Sequence, residues 1–237
     1  MTAMSIAERA GQLSWYHTLE LGPGCVTEGM FDLRPLVRRY GLPERMDGMR
    51  ALDVGTWDGF WAFEMERRGA EVVALDLDDE RRLDWPANRR PTSFPELGRG
   101  AGFRLARELL GSAVERIDCS IYDARPEELG TFDLVFCGSL LIHLRDPVLA
   151  AERVAGLCRD SFVSVEPYDR LAGLLPFPVA RYRAHREADV VFWEPNVRAW
   201  KAILGTAGFT SVEQFDRFKL RARAGWSVRH VALRARL

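Results

Sequence analysis

Residues 51–63, ALDVGTWDGFWAF, and VVALDLD at 72–78 constrain the fold more than any other part of the chain. A short apolar run ends in Asp53. A tight turn with Gly55, Asp58 and Gly59 follows, then a helix-like run, then a second apolar run that ends in Asp76. Strand, glycine turn, helix, strand and acid form the first half of a nucleotide-binding α/β fold. Asp76 stands 23 residues after Asp53, close to the ~20 expected between such a turn and a ribose-binding carboxylate. A ribose-containing cofactor is therefore expected.

The turn chemistry narrows the cofactor. A dinucleotide turn uses a middle glycine so that the backbone can approach a pyrophosphate. Here Trp57 takes that place, and Asp58 puts a negative charge beside the helix start. A pyrophosphate would be repelled there; a sulfonium carrying an ammonium group would not. The pattern resembles motif I of class I S-adenosylmethionine-dependent methyltransferases, acid-x-Gly-x-Gly-x-Gly, with its middle glycine replaced.

Along the chain, strands and helices alternate. Ser5 and Glu8 form a possible capping box opening a short helix. Residues 14–21, SWYHTLEL, are aromatic-rich and precede the turn Gly22-Pro23-Gly24. An amphipathic helix is expected over 32–40, closed by Gly41. Strands are expected at 50–54, 71–75, within 114–121, and at 132–137, 162–165, 212–220 and 228–233. Helices are expected at 60–68, 103–110, 146–158 and 195–207. Asp146-Pro147 supplies an N-cap acid and a first-turn proline. The alternation predicts a Rossmann-like, doubly wound α/β fold: a mostly parallel seven-stranded sheet with a C-terminal antiparallel strand and an N-terminal helical lid. Residues 1–40 are expected as the lid or substrate-facing segment and 41–237 as a single catalytic unit. Residues 77–100 carry Pro86, Pro91 and Pro95 and make a long loop, the kind that usually serves function.

Composition excludes several classes. A net charge of −1 gives no general pull toward nucleic acid or membrane. The apolar runs are too short to span a bilayer, and the N-terminus has no apolar core of a signal peptide. Cys25, Cys119, Cys137 and Cys158 lack C-x-x-C spacing, which points to free thiols in a reducing cytoplasm and to no metal site.

Later motifs extend the resemblance. FDLV at 132–135 with SLLIHLRDP at 139–147 is similar to the fourth-strand motif of class I methyltransferases, and Ala207-Gly208-Phe209 to the end of their last helix. More narrowly, the chain resembles the group containing tRNA wobble-uridine carboxymethyl- and methoxyuridine-forming transferases. Thr27-Glu28, Asp32, Arg34, His143 to Pro147, Glu166, Pro195 and Arg229 carry that likeness. Two departures stand out. The carboxymethyl-transferring relatives have a tyrosine before the histidine where this chain has Ile142, and they carry a longer N-terminal region. An apolar Ile142 favours ordinary S-adenosylmethionine as donor, and the charge balance weighs against a tRNA acceptor.

The resemblance implies a set of cofactor contacts. Gly55, Trp57 and Gly59 would close on the methionine part, Asp53 on its ammonium, and Arg34 on its carboxylate. Asp76 would accept from the ribose hydroxyls, with Leu77 beside it. Ile121 and Tyr122 would flank adenine, and the Gly138 backbone would face the donor. Methyl transfer needs a general base only where the acceptor is protonated. Glu166 is the first choice, because it ends a strand at the carboxyl edge of the sheet; His143 and His17 follow. The leading expectation is methyl transfer to a small-molecule acceptor, in specialised metabolism. A tRNA wobble-uridine enzyme is the alternative, and a non-catalytic cofactor-binding protein a further one.

Overall fold

The two apolar runs that end in Asp53 and Asp76 become neighbouring parallel strands, β1 (Arg50–Val54) and β2 (Glu71–Asp76). The computed structural model describes residues 4–94, 98–184 and 191–237. Five further strands complete the sheet: β3 (Glu115–Asp118), β4 (Phe132–Gly138), β5 (Cys158–Pro167), β6 (Ser211–Arg221) and β7 (Ser227–Arg236). Their spatial order is β3-β2-β1-β4-β5-β7-β6, and β7 runs antiparallel to both its neighbours. Strand order reverses between β1 and β4, which opens a crevice at their carboxyl ends. The expected doubly wound sheet is present, antiparallel C-terminal strand included.

Period-two burial explains why both faces are covered. Ala51, Val72, Ala74, Leu134 and Phe136 point into one apolar cluster, and Leu52, Val73, Leu75, Val135 and Cys137 into another. Helices α1 (Ile6–Gly11), α2 (Phe60–Arg67) and α3 (Ala101–Leu110) precede β3 in the chain; α4 (Pro126–Leu129), α5 (Pro147–Leu157) and α6 (Val197–Thr206) follow it. α2 and α3 bury Phe60, Trp61, Phe63 and Phe103 in the first cluster, and α5 and α6 bury Val154 and Trp200 in the second. The Ser5 capping box and the Asp146 cap are both formed. Asn196, not Pro195, caps α6 by accepting from the Ala199 N–H.

The N-terminal segment shares the first cluster through Trp15, Leu19, Leu21, Phe31 and Leu33. A two-stranded hairpin, Glu20–Gly22 with Cys25–Val26, forms around the Gly-Pro-Gly turn.

Several boundaries differ from the sequence expectation. The helix expected over 32–40 is a 3-10 helix, Arg34–Tyr40; its start has no side-chain cap and carries Pro35, so the tighter turn suffices. β3 stops at Asp118, because the chain turns over Ser120, whose carbonyl accepts from Asp123 and Ala124. β5 extends well beyond 162–165, since β4 pairs with it from Cys158 and β7 from Ser161 to Pro167; polar Arg159 and Asp160 fall in the irregularity between the first two pairs with β4. A second small hairpin, Ala180–Tyr182 with Trp193–Pro195, was not expected. Within the long loop, residues 95–97 lie outside the described residues.

Candidate active site

A cavity of about 280 Å³ opens at the carboxyl edge, where β1, β2 and β4 end. Asp53, Val54 and Gly55 form its floor. Leu75, Asp76 and Leu77 bound one side, and Gly138, Ser139 and Leu140 the other. Tyr16 and His17 reach it from the N-terminal segment, and Leu83, Asp84, Trp85 and Arg99 from the long loop. Trp57, Ile121, Tyr122 and His143 also line it. Of the residues named from sequence, Asp53, Gly55, Trp57, Asp76, Leu77, Ile121, Tyr122, Gly138, His17 and His143 are thus brought together.

Asp76 and Trp57 are locked to each other. Asp76 Oδ2 accepts from the Trp57 N–H at 2.7 Å, and Oδ1 from the Leu77 N–H at 2.8 Å. Trp57 sits at φ 51°, a left-handed conformation that suits the glycine it replaces. Its indole is not idle. The Arg99 guanidinium stacks 3.7 Å from the ring centroid and lies 3.5 Å from Asp76 Oδ1. Tyr16 packs on the same indole, with ring centroids 4.9 Å apart.

Asp53 is buried, and burial pushes its carboxyl up to about 6. Its Oδ2 makes no hydrogen bond of normal geometry, although the Thr56 hydroxyl stands close enough to offset part of that rise. A buried oxygen left unpaired on a cavity floor is costly unless a ligand satisfies it. Beside it Gly55 stands at φ 78°, and a Cβ there would meet Leu140 at 3.0 Å.

Asp58 departs from the sequence expectation. It does not present its charge to a ligand: it is 1% exposed and committed to the N-terminal segment. Oδ2 accepts from the N–H groups of Tyr16 and His17, at 2.9 and 2.8 Å, and Oδ1 engages His17 Nδ1.

Three named residues fall outside the cavity. Gly59 is the α2 N-cap at φ 92°, packed against Phe63 and Phe103. Arg34 lies on the surface, paired with Asp32 at 2.7 Å. Glu166 is buried behind the wall rather than in it: Oε1 accepts from the Leu140 and Leu141 N–H groups at 3.1 Å, so it organises the loop after β4. Burial raises it to about 7. Glu166 does not line the cavity, and its Oε2 has no hydrogen-bond partner among the described residues, so the first choice drawn from sequence stands behind the wall rather than beside an acceptor. Ile142 is likewise buried in the second apolar cluster, so its side chain says nothing about the donor's shape.

The sequence reading missed Asp58 as an anchor, Arg99, Ser139 and Asp84. Ser139, at φ 56°, hydrogen-bonds His230 Nε2 at 2.9 Å; burial pushes His230 down to about 4, so this partner is a neutral imidazole. The Tyr122 hydroxyl donates to Asp84 Oδ2 at 2.7 Å and accepts from the Asp146 N–H at 3.0 Å. The Arg145 N–H also donates to Asp84. These bonds fasten the long loop over the cavity. Only the loop's length hinted at them.

No family model matches the chain. A ubiquinone biosynthesis O-methyltransferase of Vibrio campbellii is 30% identical over 135 residues, which is 56% of this chain and 49% of that protein. A tRNA U34 carboxymethyltransferase of Desulforapulum autotrophicum is 24% identical over 170 residues, 70% of this chain and 46% of that protein. The chain spans about half the length of these curated relatives. Among solved structures, the N-terminal domain of EvdMO1 with S-adenosylhomocysteine bound superposes at a TM-score of 0.68 with 21% identity, over 98% of this chain and 95% of that one. The last likeness shows the fold. In sequence and in fold the chain resembles class I S-adenosylmethionine-dependent methyltransferases, as its motifs implied.

Proposed function

We propose that this chain is an S-adenosylmethionine-dependent methyltransferase acting on a hydroxyl of a small molecule. The observation that carries the reading is the pair of acids at neighbouring strand ends. Asp53 offers the cavity an unpartnered, buried oxygen, and Asp76 a carboxylate already oriented by two backbone N–H groups. The first suits an ammonium and the second a ribose diol, the two polar ends of such a cofactor. Leu77, Ile121 and Tyr122 supply apolar and aromatic surface for a base, and Gly55 and Gly138 let the chain approach closely. When bound, the cofactor supplies an electrophilic methyl group. The protein's own work is then to place an acceptor against it and to exclude water. Tyr16, His17, Leu83 and Trp85 roof the cavity and can do both.

A small acceptor is favoured by the roofed, mostly apolar cavity and by the likeness to a quinone-biosynthesis O-methyltransferase. A role in specialised metabolism and a cytoplasmic location belong to this proposal. The free thiols of Cys137 and Cys158 suit a reducing compartment, and no described helix is long and apolar enough to cross a membrane. The tRNA reading draws on the longer match to the U34 carboxymethyltransferase.

The test is calorimetry with S-adenosylhomocysteine, followed by transfer from methyl-labelled donor to catechols, quinols, sugars and unmodified tRNA. Binding with transfer to a small hydroxyl compound supports the proposal. Transfer to tRNA alone selects the second reading, and binding with no transfer selects a non-catalytic cofactor-binding protein. Failure to bind overturns all three.

A further inference from the structure

His17 is held from every side. Asp58 receives its N–H, and Thr27 Oγ1 donates to its carbonyl at 3.0 Å. Gly29 packs so closely that a Cβ there would stand 2.1 Å from the His17 carbonyl carbon, so this position excludes any side chain. The ring lies between Tyr16 and Phe60, at 4.8 and 5.6 Å between centroids. Yet this residue lines the cavity. Asp58, Thr27 and Gly29 fix the backbone of this residue, and Asp58, Tyr16 and Phe60 its ring, in the wall of the cavity. Packing alone would need only an apolar residue there.

The buried Asp58 carboxylate, facing Nδ1, sets the chemistry. A carboxylate is an acceptor only, so the neutral tautomer that Asp58 selects carries its proton on Nδ1 and keeps the lone pair on Nε2, in a residue that lines the cavity. Asp58 is itself held by the Tyr16 and His17 N–H groups, so it cannot rotate away. A carboxylate, an oriented imidazole and an open site in sequence form the arrangement that generates a general base.

Resting on the methyl-transfer reading of the same cavity, we infer that His17 is the general base, that Asp58 is its positioning residue, and that the acceptor atom is a hydroxyl oxygen whose proton must be removed. The acceptor oxygen gives its proton to His17 Nε2. Its lone pair forms the new O–C bond to the methyl carbon as the C–S bond breaks, and that electron pair leaves with sulfur. The imidazolium so formed faces Asp58, and Asp53 lies close enough to interact with it electrostatically. An acceptor already anionic or carrying a free amine lone pair would need no such group.

Three measurements on the intact chain test this. Calorimetry with S-adenosylhomocysteine is run on wild type, His17→Gln and Asp58→Asn. Nitrogen-15 NMR of labelled histidine reads the His17 tautomer, with and without S-adenosylhomocysteine. Transfer of labelled methyl to catechol reads turnover. The expected result is a wild-type His17 with Nδ1 protonated and Nε2 bare. His17→Gln then loses about 10²–10⁴-fold in turnover while binding S-adenosylhomocysteine like wild type. Asp58→Asn moves the proton to Nε2 and loses turnover to a similar degree. A proton on Nε2 in wild type overturns the inference, whatever catechol does. So does catechol turnover by His17→Gln at the wild-type rate. Loss of S-adenosylhomocysteine binding by wild type itself would instead overturn the methyltransferase reading, and the tautomer of the free protein would still decide the dyad.

Discussion

Asp76 accepts the backbone N–H of Trp57 at 2.7 Å, which ties the end of β2 to the turn after β1. One carboxylate therefore shapes the turn and, in the proposed complex, receives the ribose. Asp76→Ala removes both functions. S-adenosylhomocysteine affinity should fall by about 1.5–3 kcal/mol, the scale of hydrogen bonds to a charged group. Asp76→Asn keeps an oxygen for Trp57 and should lose less. Calorimetry on the two variants checks the order; equal affinity of Asp76→Ala and wild type would remove Asp76 from the binding site.

The two glycines of the turn serve different ends. Gly55 faces the cavity, and an added Cβ meets only the flexible Leu140 side chain at 3.0–3.3 Å. Gly59 faces the core, where a Cβ would sit 2.4 Å from the Phe63 ring and 2.7 Å from Phe103. Both have positive φ, so alanine at either costs about 1 kcal/mol in backbone strain alone. Gly59→Ala should add overpacking of about 1–3 kcal/mol and unfold earlier in denaturant. Gly55→Ala should show the smaller stability loss and the larger loss of S-adenosylhomocysteine affinity. The reverse ranking would contradict this division.

Burial sets a pH dependence of stability. Glu166 titrates near 7 and Asp53 near 6 in the folded chain, both above their ordinary values. Their favourable contribution is full below the ordinary carboxylate range and is lost as pH rises through the folded values. Glu166→Gln keeps an oxygen for the Leu140 and Leu141 N–H groups and carries no charge. Relative to wild type it should gain roughly 2–3 kcal/mol between about pH 5 and about pH 8. Urea unfolding of both proteins at the two pH values measures it. Parallel stability curves would show that Glu166 ionises alike in the folded and unfolded chain, so that burial does not raise it. Because Glu166 stands behind the cavity wall, the same variant should leave S-adenosylhomocysteine affinity unchanged.

The fold was legible because its signals are local. Period-two burial at β1 and β2, the glycine turn, and the Asp146-Pro147 cap each act within a few residues. The same locality made Asp53, Gly55 and Asp76 readable as cavity residues. Roles decided over long separations were not. Glu166 was named as a base because it ends a strand, and only tertiary contact shows its oxygen turned toward Leu140. By sequence Asp58 is a charge beside the helix start; only folding brings it against His17, 41 residues earlier. Arg34 sits beside its own Asp32, a local pairing that the resemblance overrode. Arg99 carries no pattern at all; its place on Trp57 follows from how the long loop returns.

Tyr122 and Arg145 together tie the roof end of that loop. The Tyr122 hydroxyl donates to Asp84 and accepts from the Asp146 N–H, joining the long loop, the turn after β3 and the start of α5. Asp84 and Trp85 are part of the cavity roof, and Arg145 supports the same loop through its N–H to Asp84. Tyr122→Phe keeps the ring against the cavity but removes both bonds, and leaves the Asp146 N–H without this acceptor. The loss of about 1 kcal/mol per bond falls on loop closure rather than on the core. Amide hydrogen exchange of residues 83–85 should rise several-fold, on the order set by that free energy. Bound S-adenosylhomocysteine should leave faster, with its association rate little changed, because the bound state loses roof contacts that the open protein does not make. Stopped-flow displacement reads the rate. Unchanged exchange and unchanged dissociation together would show that the loop is held by packing of Leu83 and Trp85, and that the phenol is a bystander.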